Sequence, residues 1–233
     1  MTTTDERRPD KGLSLIELPS DYVLLDLETT GLNPADDSII EIGAIKVKEF
    51  DIIDTFTAFV KPPHRISPFI TDLTGITNEM VQDAGSIEQV LPEFMRFVGV
   101  SLVMGHNVNF DINFLYENCM RCLGYGFRNN FVDTLRLSRK LFPEEHHHRL
   151  CDLEERFQLH NEHAHRALSD VILTNQCYDY MRRYMSEHRI SIEELRSRPS
   201  LQNPVKRSAR SGGTARPFQI KRRETPLRKS WVT

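Results

Sequence analysis

The chain has 233 residues, 39% hydrophobic, 27% charged and 9% aromatic, enough for one sizeable core with appendages. No apolar run approaches the roughly 18 residues of a membrane span, the first twenty residues hold no apolar stretch of signal-peptide type, and four cysteines are too sparse for a disulfide scaffold. Integral-membrane, collagen-like and disulfide-knot classes are thereby excluded, and a soluble, cytoplasmic protein with reduced thiols and no membrane partner is expected.

The net charge of −3 hides an asymmetry. From residue 201 onward nine Lys or Arg face one acid, Glu224, so this tail carries +8 and residues 1–200 carry −11. Such a chain can meet nucleic acid through its tail or hold cations with its acids.

In chain order, Tyr22–Leu27 reads as a short apolar strand closed by the turn residues Gly31-Leu32-Asn33-Pro34. Ile39–Phe50 is a second strand rich in β-branched residues, and Ile52–Val60 a third, ended by Pro62-Pro63. Connections this short favour antiparallel neighbours. Pro68–Leu73 and Glu79–Val81 read as short helical turns. Ser86 opens a better helix, with Ile87, Val90, Leu91, Phe94 and Phe97-Val98 forming an apolar stripe near a period of 3.6. Ser101–Gly105 is a buried strand, Asn109 to about Leu123 a helix, and the region near Phe131 a brief strand; Thr134–Leu141, Leu150–Phe157 and Ala167–Met185 follow as helices. Strands first, then strands alternating with helices, describe a mixed-sheet α/β domain. From about Ser197 the composition turns to Arg, Lys, Ser, Gly and Pro, with Phe218 and Trp231 as isolated large apolar groups, and a flexible extension is expected.

Strand alternation places Leu24, Asp26 and Glu28 on one face and Val23, Leu25 and Leu27 on the other. Two carboxylates therefore leave an apolar strand side by side, where they repel each other unless something positive sits between them. Asp111 lies at the turn into the helix after Ser101–Gly105, where an N-cap is the ordinary role, and Asp170 lies in the first turn of the Ala167 helix, where it favours the helix dipole. Converging from a strand, a turn and a helix start, four carboxylates with His165 nearby suit a pair of hard divalent cations, Mg²⁺ or Mn²⁺. His160 and His163 compete with His165 on composition. Cys119-Met120-Arg121-Cys122 and His146-His147-His148 suggest zinc only weakly, since the CxxC falls mid-helix with no second pair at finger spacing.

Three segments, Asp26-Leu27-Glu28-Thr29-Thr30-Gly31-Leu32, His106-Asn107-Val108-Asn109-Phe110-Asp111 and His165-Arg166-Ala167-Leu168-Ser169-Asp170, resemble the three motifs of the DnaQ-like, DEDDh 3′→5′ exonucleases, the family that includes the proofreading subunit of bacterial DNA polymerase III. The motifs stand in the family's order, and Val108, where a small Ala is common, is the one minor departure.

The resemblance covers about residues 20–186. It implies a ribonuclease H-like α/β fold with a mixed five-stranded sheet flanked by helices, preceded by an arm (1–19) and followed by a basic extension (187–233). It implies two ions held by Asp26, Glu28, Asp111 and Asp170, roughly 4 Å apart and stabilising both oxygens of an in-line displacement at phosphorus. His165 is singled out as the base that takes a proton from the attacking water. Thr29, Thr30 and Gly31 are implied at the nucleic-acid 3′ end together with Asn107, as are Gly75 and Ile76 of Leu73-Thr74-Gly75-Ile76-Thr77. Phe110 is a candidate for stacking on a base, though packing under the sheet is the favoured role for that ring. The expected activity is removal of nucleoside 5′-monophosphates from single-stranded or frayed DNA, in proofreading or repair, with DNA favoured over RNA and a polymerase as a candidate partner for the tail. The rivals are an RNA-trimming member of the family and a non-catalytic module docking on a polymerase. The second is disfavoured because a degenerate copy has no reason to keep four mutually repelling acids.

Overall fold

A computed structural model of the chain describes residues 8–160 and 166–199. Six strands form one sheet: β1 (Ser14–Leu15), β2 (Tyr22–Thr29), β3 (Ile39–Lys48), β4 (Asp51–Phe59), β5 (Val103–Gly105) and β6 (Phe131–Asp133), in the spatial order β1-β6-β5-β2-β3-β4. β2, β3 and β4 are antiparallel neighbours, as their short connections require. β5 joins β2 in parallel, and β6 and β1 extend the parallel half. The eight helices among the described residues are α1 (Pro68–Thr74), α2 (Asn78–Val81), α3 (Ile87–Val98), α4 (Asn109–Leu123), α5 (Thr134–Leu141), α6 (Leu150–Phe157), α7 (Ala167–Glu187) and α8 (Ile192–Ser197). None of the described helices is long and apolar enough to cross a membrane.

The alternation along β2 divides the core. Val23, Leu25 and Leu27 join Leu91 and Phe94 of α3 and Ile112 and Leu115 of α4 on one face. Tyr22 and Leu24 join Leu153 of α6 and Val171, Tyr178 and Met181 of α7 on the other. Asp26 and Glu28 continue the Leu24 face and so emerge beneath α7. That helix presses closely on the sheet at Gly43, the partner of Asp26 across the β2–β3 ladder. A Cβ at Gly43 would stand 2.5 Å from the Leu168 nitrogen, so the close approach requires glycine. Further along, the Tyr22 hydroxyl donates to Asn175 Oδ1 at 2.6 Å and the Tyr178 hydroxyl to the Pro19 carbonyl at 2.8 Å, pinning α7 along its length.

Two expectations change. The sheet has six strands rather than five, because Ser14 and Leu15, assigned to the arm, pair with Phe131 and Val132, and Ile16 beside them is buried in the α7-side core. Residues 187–199, assigned to the extension, contain α8, whose Leu195 is fully buried. Lys140 holds that helix by its C-terminal end, its ammonium donating to the carbonyls of Leu195, Arg196 and Arg198, a favourable place for a cation. The basic tail itself lies outside the described residues.

Candidate active site

Asp26 and Glu28 project from the end of β2, and Asp170 from the first turn of α7. Each offers a carboxylate oxygen, and these oxygens lie within 4.8 Å of one another. Asp111, 4% exposed, sits in the first turn of α4, where its Oδ1 accepts the Leu27 backbone N–H at 3.1 Å. The N-cap position belongs to Val108; Asp111 faces the sheet instead.

Burial and mutual repulsion act together on these acids. Asp26 is pushed well above the usual carboxylate range, first by desolvation and then by the charges of Asp111, Glu28, Asp170 and Glu41. Asp111 is raised in the same sense by desolvation, against its own backbone hydrogen bonds. Glu28 rises to about 7 through desolvation and the charges of Asp170 and Glu41, against a smaller lowering by Arg166. Clustered oxygen donors that resist ionisation together are completed by a hard cation, and Asp26, Glu28 and Asp170 are compatible with one divalent metal site.

Glu41, which the sequence reading passed over, is the fifth carboxylate here. It stands opposite Glu28 across the β2–β3 ladder and is 2% exposed. Arg166 answers it from the start of α7, its Nη2 donating to Glu41 Oε1 at 2.8 Å, while the Ala167 backbone N–H donates to Glu41 Oε2 at 3.2 Å. The pair ties β3 to the helix start that carries Asp170. A lone acid in the run Ile39-Ile40-Glu41-Ile42 was the available signal, since an acid buried in a strand needs a partner.

The residues expected at the substrate divide. Thr29 is buried and its hydroxyl donates to the Gly31 carbonyl at 2.7 Å, while Thr30 accepts the Ser38 N–H at 2.9 Å; both brace the turn after β2. Gly31 packs against the Asp37 carboxylate. Gly75 caps α1 at φ 71° with open space where a Cβ would point. Ile76 is fully buried with Ile40, Ile66, Ile70 and Val81, so its side chain anchors the segment that carries Gly75. Asn107 is exposed at φ 59°, and Phe110 packs on Phe114 with ring centroids 5.0 Å apart, the favoured role for that ring. His163 and His165 lie outside the described residues; His160 is exposed. All four cysteines are free, and burial pushes the Cys119 thiol up to about 12.

The family model for exonucleases of the RNase T type matches residues 23–178. The PolC-type DNA polymerase III of Caldanaerobacter subterraneus subsp. tengcongensis is 42% identical over 187 residues, covering 80% of this chain and 13% of that protein. Its counterpart in Bacillus subtilis is 41% identical over 154 residues, 66% of this chain and 11% of that one. The chain thus spans only a small part of the length of these relatives. Among solved structures, exonuclease X in complex with 5′-overhanging duplex DNA is similar at a TM-score of 0.57 and 26% identity, covering 75% of this chain and 96% of that one. Escherichia coli exonuclease I in its complex with single-stranded DNA shares the fold at a TM-score of 0.60 and 24% identity, over 73% of this chain and 43% of that one. With a match running from β2 into α7, through the elements that bring the carboxylates together, the chain belongs to the exonuclease family, as a DnaQ-like 3′→5′ exonuclease domain.

Proposed function

We propose that the domain removes nucleotides one at a time from the 3′ end of single-stranded or frayed DNA, releasing nucleoside 5′-monophosphates, in proofreading or repair within the cytoplasm. The observation that carries this reading is the meeting of Asp26, Glu28 and Asp170 within 4.8 Å at the end of a central strand. Divalent cations held there would supply Lewis acidity at phosphorus and neutralise charge developing on the phosphoryl oxygens. Asp26, Glu28 and Asp170 would hold one Mg²⁺ or Mn²⁺, and Asp111, whose charge acts directly on Asp26, would join Asp26 to hold a second.

The other side chains orient and move protons. Glu41 and Arg166 fix the first turn of α7 and with it Asp170. His165, one residue before Arg166, is proposed as the base that takes a proton from the attacking water, a role a neutral imidazole fills near pH 7. Gly75, exposed at the end of α1, is proposed to meet the terminal nucleotide, together with Asn107. The +8 tail is proposed to add non-specific, salt-sensitive affinity for long strands, or to dock on a polymerase.

The test is digestion of a 5′-labelled oligonucleotide, with Mg²⁺ or with EDTA, on DNA and RNA of one sequence. A ladder shortening from the 3′ end on DNA, blocked by EDTA and by a 3′-terminal phosphorothioate, is expected. Preferential digestion of RNA would transfer the substrate assignment to RNA trimming; no digestion of either would refute the reading.

A further inference from the structure

Next to the acidic cluster lies a cavity of opposite character. Its volume is about 460 Å³, and no acid is among its lining residues, which include Asn107, Arg139, His146, His147 and Arg149. In a body carrying −11 over residues 1–200, a cavity walled by arginine and histidine marks a place where an anion is admitted.

Its position follows from the topology. The parallel strands β2, β5 and β6 lie side by side; β5 and β6 end at the paired Gly105 and Asp133, one residue past the Leu24–Met104 pair, so β2 runs on beyond them through Asp26 and Glu28. The acidic cluster hangs from the end of β2. The cavity is walled by Asn107, just past β5, by Leu135 and Arg139 of α5, just past β6, and by the segment entering α6. Two strand spacings of about 4.8 Å set it roughly 10 Å to the side of β2, which at about 3.4 Å per nucleotide of stacked strand is two or three nucleotides.

The cavity is also held in shape. Asp133 Oδ1 accepts the backbone N–H groups of Asn107 and Leu135, each at 2.9 Å, locking the turn after β5 to the start of α5. The ring of His106 bridges Thr134 Oγ1 at 3.0 Å and the His148 carbonyl at 2.8 Å, and Ser138 Oγ meets His148 Nδ1 at 2.8 Å, strapping the segment before α6 to the same wall. Arg149 is engaged by Asp152 at 2.9 Å. Arg139 is exposed and has no ion pair among the described residues, yet stands close enough to Asp133 and His106 for its charge to act on both.

We infer that this cavity is a phosphate subsite for the strand entering the acidic cluster, in which Arg139 pairs with a phosphodiester two or three nucleotides 5′ of the scissile bond. The inference rests on the exonuclease reading. A planar guanidinium presents paired donors to two phosphate oxygens, and a pre-shaped wall spares the cost of ordering the site on binding. Substrate length then becomes a determinant of rate, because a dinucleotide is too short to reach Arg139 and a pentanucleotide, with phosphodiesters at both positions, reaches it.

The experiment compares kcat/KM on oligothymidylates of two to eight residues with that on thymidine 5′-monophosphate p-nitrophenyl ester, for the full chain and its Arg139→Gln and Arg139→Lys variants. For the parent, kcat/KM is expected to step up between two and five residues. Arg139→Gln should lower the ratio of pentanucleotide to ester activity about tenfold, as loss of a charge-assisted pair does, and Arg139→Lys should restore part of it. An unchanged ratio in both variants, with the ester still hydrolysed, overturns the subsite and leaves the exonuclease reading standing. If Arg139→Gln instead weakens inhibition by free thymidine 5′-monophosphate without moving the ratio, the cavity holds released product and the proposal is wrong. A parent that hydrolyses neither ester nor strand refutes the exonuclease reading and the subsite with it.

Discussion

Replacing Glu28 with Gln should make the metal-free protein more stable at pH 8 and leave it unchanged at pH 4. Burial and the neighbouring charges of Asp170 and Glu41 raise Glu28 from its ordinary 4.5 to about 7. A carboxyl whose pKa is higher in the folded than in the unfolded chain destabilises the fold as pH rises between those two values, because the unfolded chain gives up its proton first. At about 1.4 kcal/mol per pKa unit, ionised Glu28 costs the fold about 3.5 kcal/mol as a ceiling, and about 2 kcal/mol once its partial exposure is allowed for. For a chain of this size that is a rise in Tm of about 4–8 °C for Glu28→Gln at pH 8 in EDTA. At pH 4 both forms carry a neutral side chain and the difference should vanish. Added Mg²⁺ should reverse the order at pH 8, since the parent gains binding free energy that the variant lacks. The assay is a set of thermal melts at the two pH values, with and without Mg²⁺. A Glu28→Gln variant less stable than the parent at pH 8 in EDTA, or equally stabilised at both pH values, would refute the electrostatic account of the site.

Arg166→Ala should cost more stability than Glu41→Gln, by about 1–2 kcal/mol in urea denaturation, because it leaves a carboxylate that is 2% exposed without its cation, whereas Gln still accepts from the Ala167 N–H; equal losses would contradict the pairing. His106 is held down at about 4 by burial against its ordinary 6.5, so the fold keeps it neutral and loses stability as pH falls from 6.5 toward 4. The loss between pH 7 and pH 5 in the parent should exceed that in His106→Gln by about 2 kcal/mol in urea midpoints, and a parent whose loss is no larger would show that His106 is not buried neutral.

The sequence was most legible where a feature is local. The face shared by Leu24, Asp26 and Glu28 follows from strand periodicity alone, and α7 covers that face. Asp170 in a first helical turn was equally readable, and the bounds of β5, α4 and α5 fall close to where the apolar pattern and turn residues put them. The rest depends on contacts between distant segments. β1 is two residues long and carries no periodicity; it exists because Ser14 and Leu15 find the free edge of β6, more than a hundred residues away. α8 is a single short helix whose place is decided by Lys140 and by burial of Leu195. Glu41 is a single acid within an apolar strand, and only the β2–β3 register and the arrival of Arg166 give it a neighbour and a partner. The burial of Ile76 was likewise out of reach, since a motif position says nothing of which way its side chain turns.

The carboxylates brought together at the end of β2 are proposed to hold the divalent cation on which activity depends. A calorimetric titration of Mn²⁺ into the parent chain and into Asp26→Ala, both shown to be folded by circular dichroism, decides this. Saturable binding to the parent and none to Asp26→Ala is the predicted result. Binding to Asp26→Ala with the parent's affinity and stoichiometry would contradict the account.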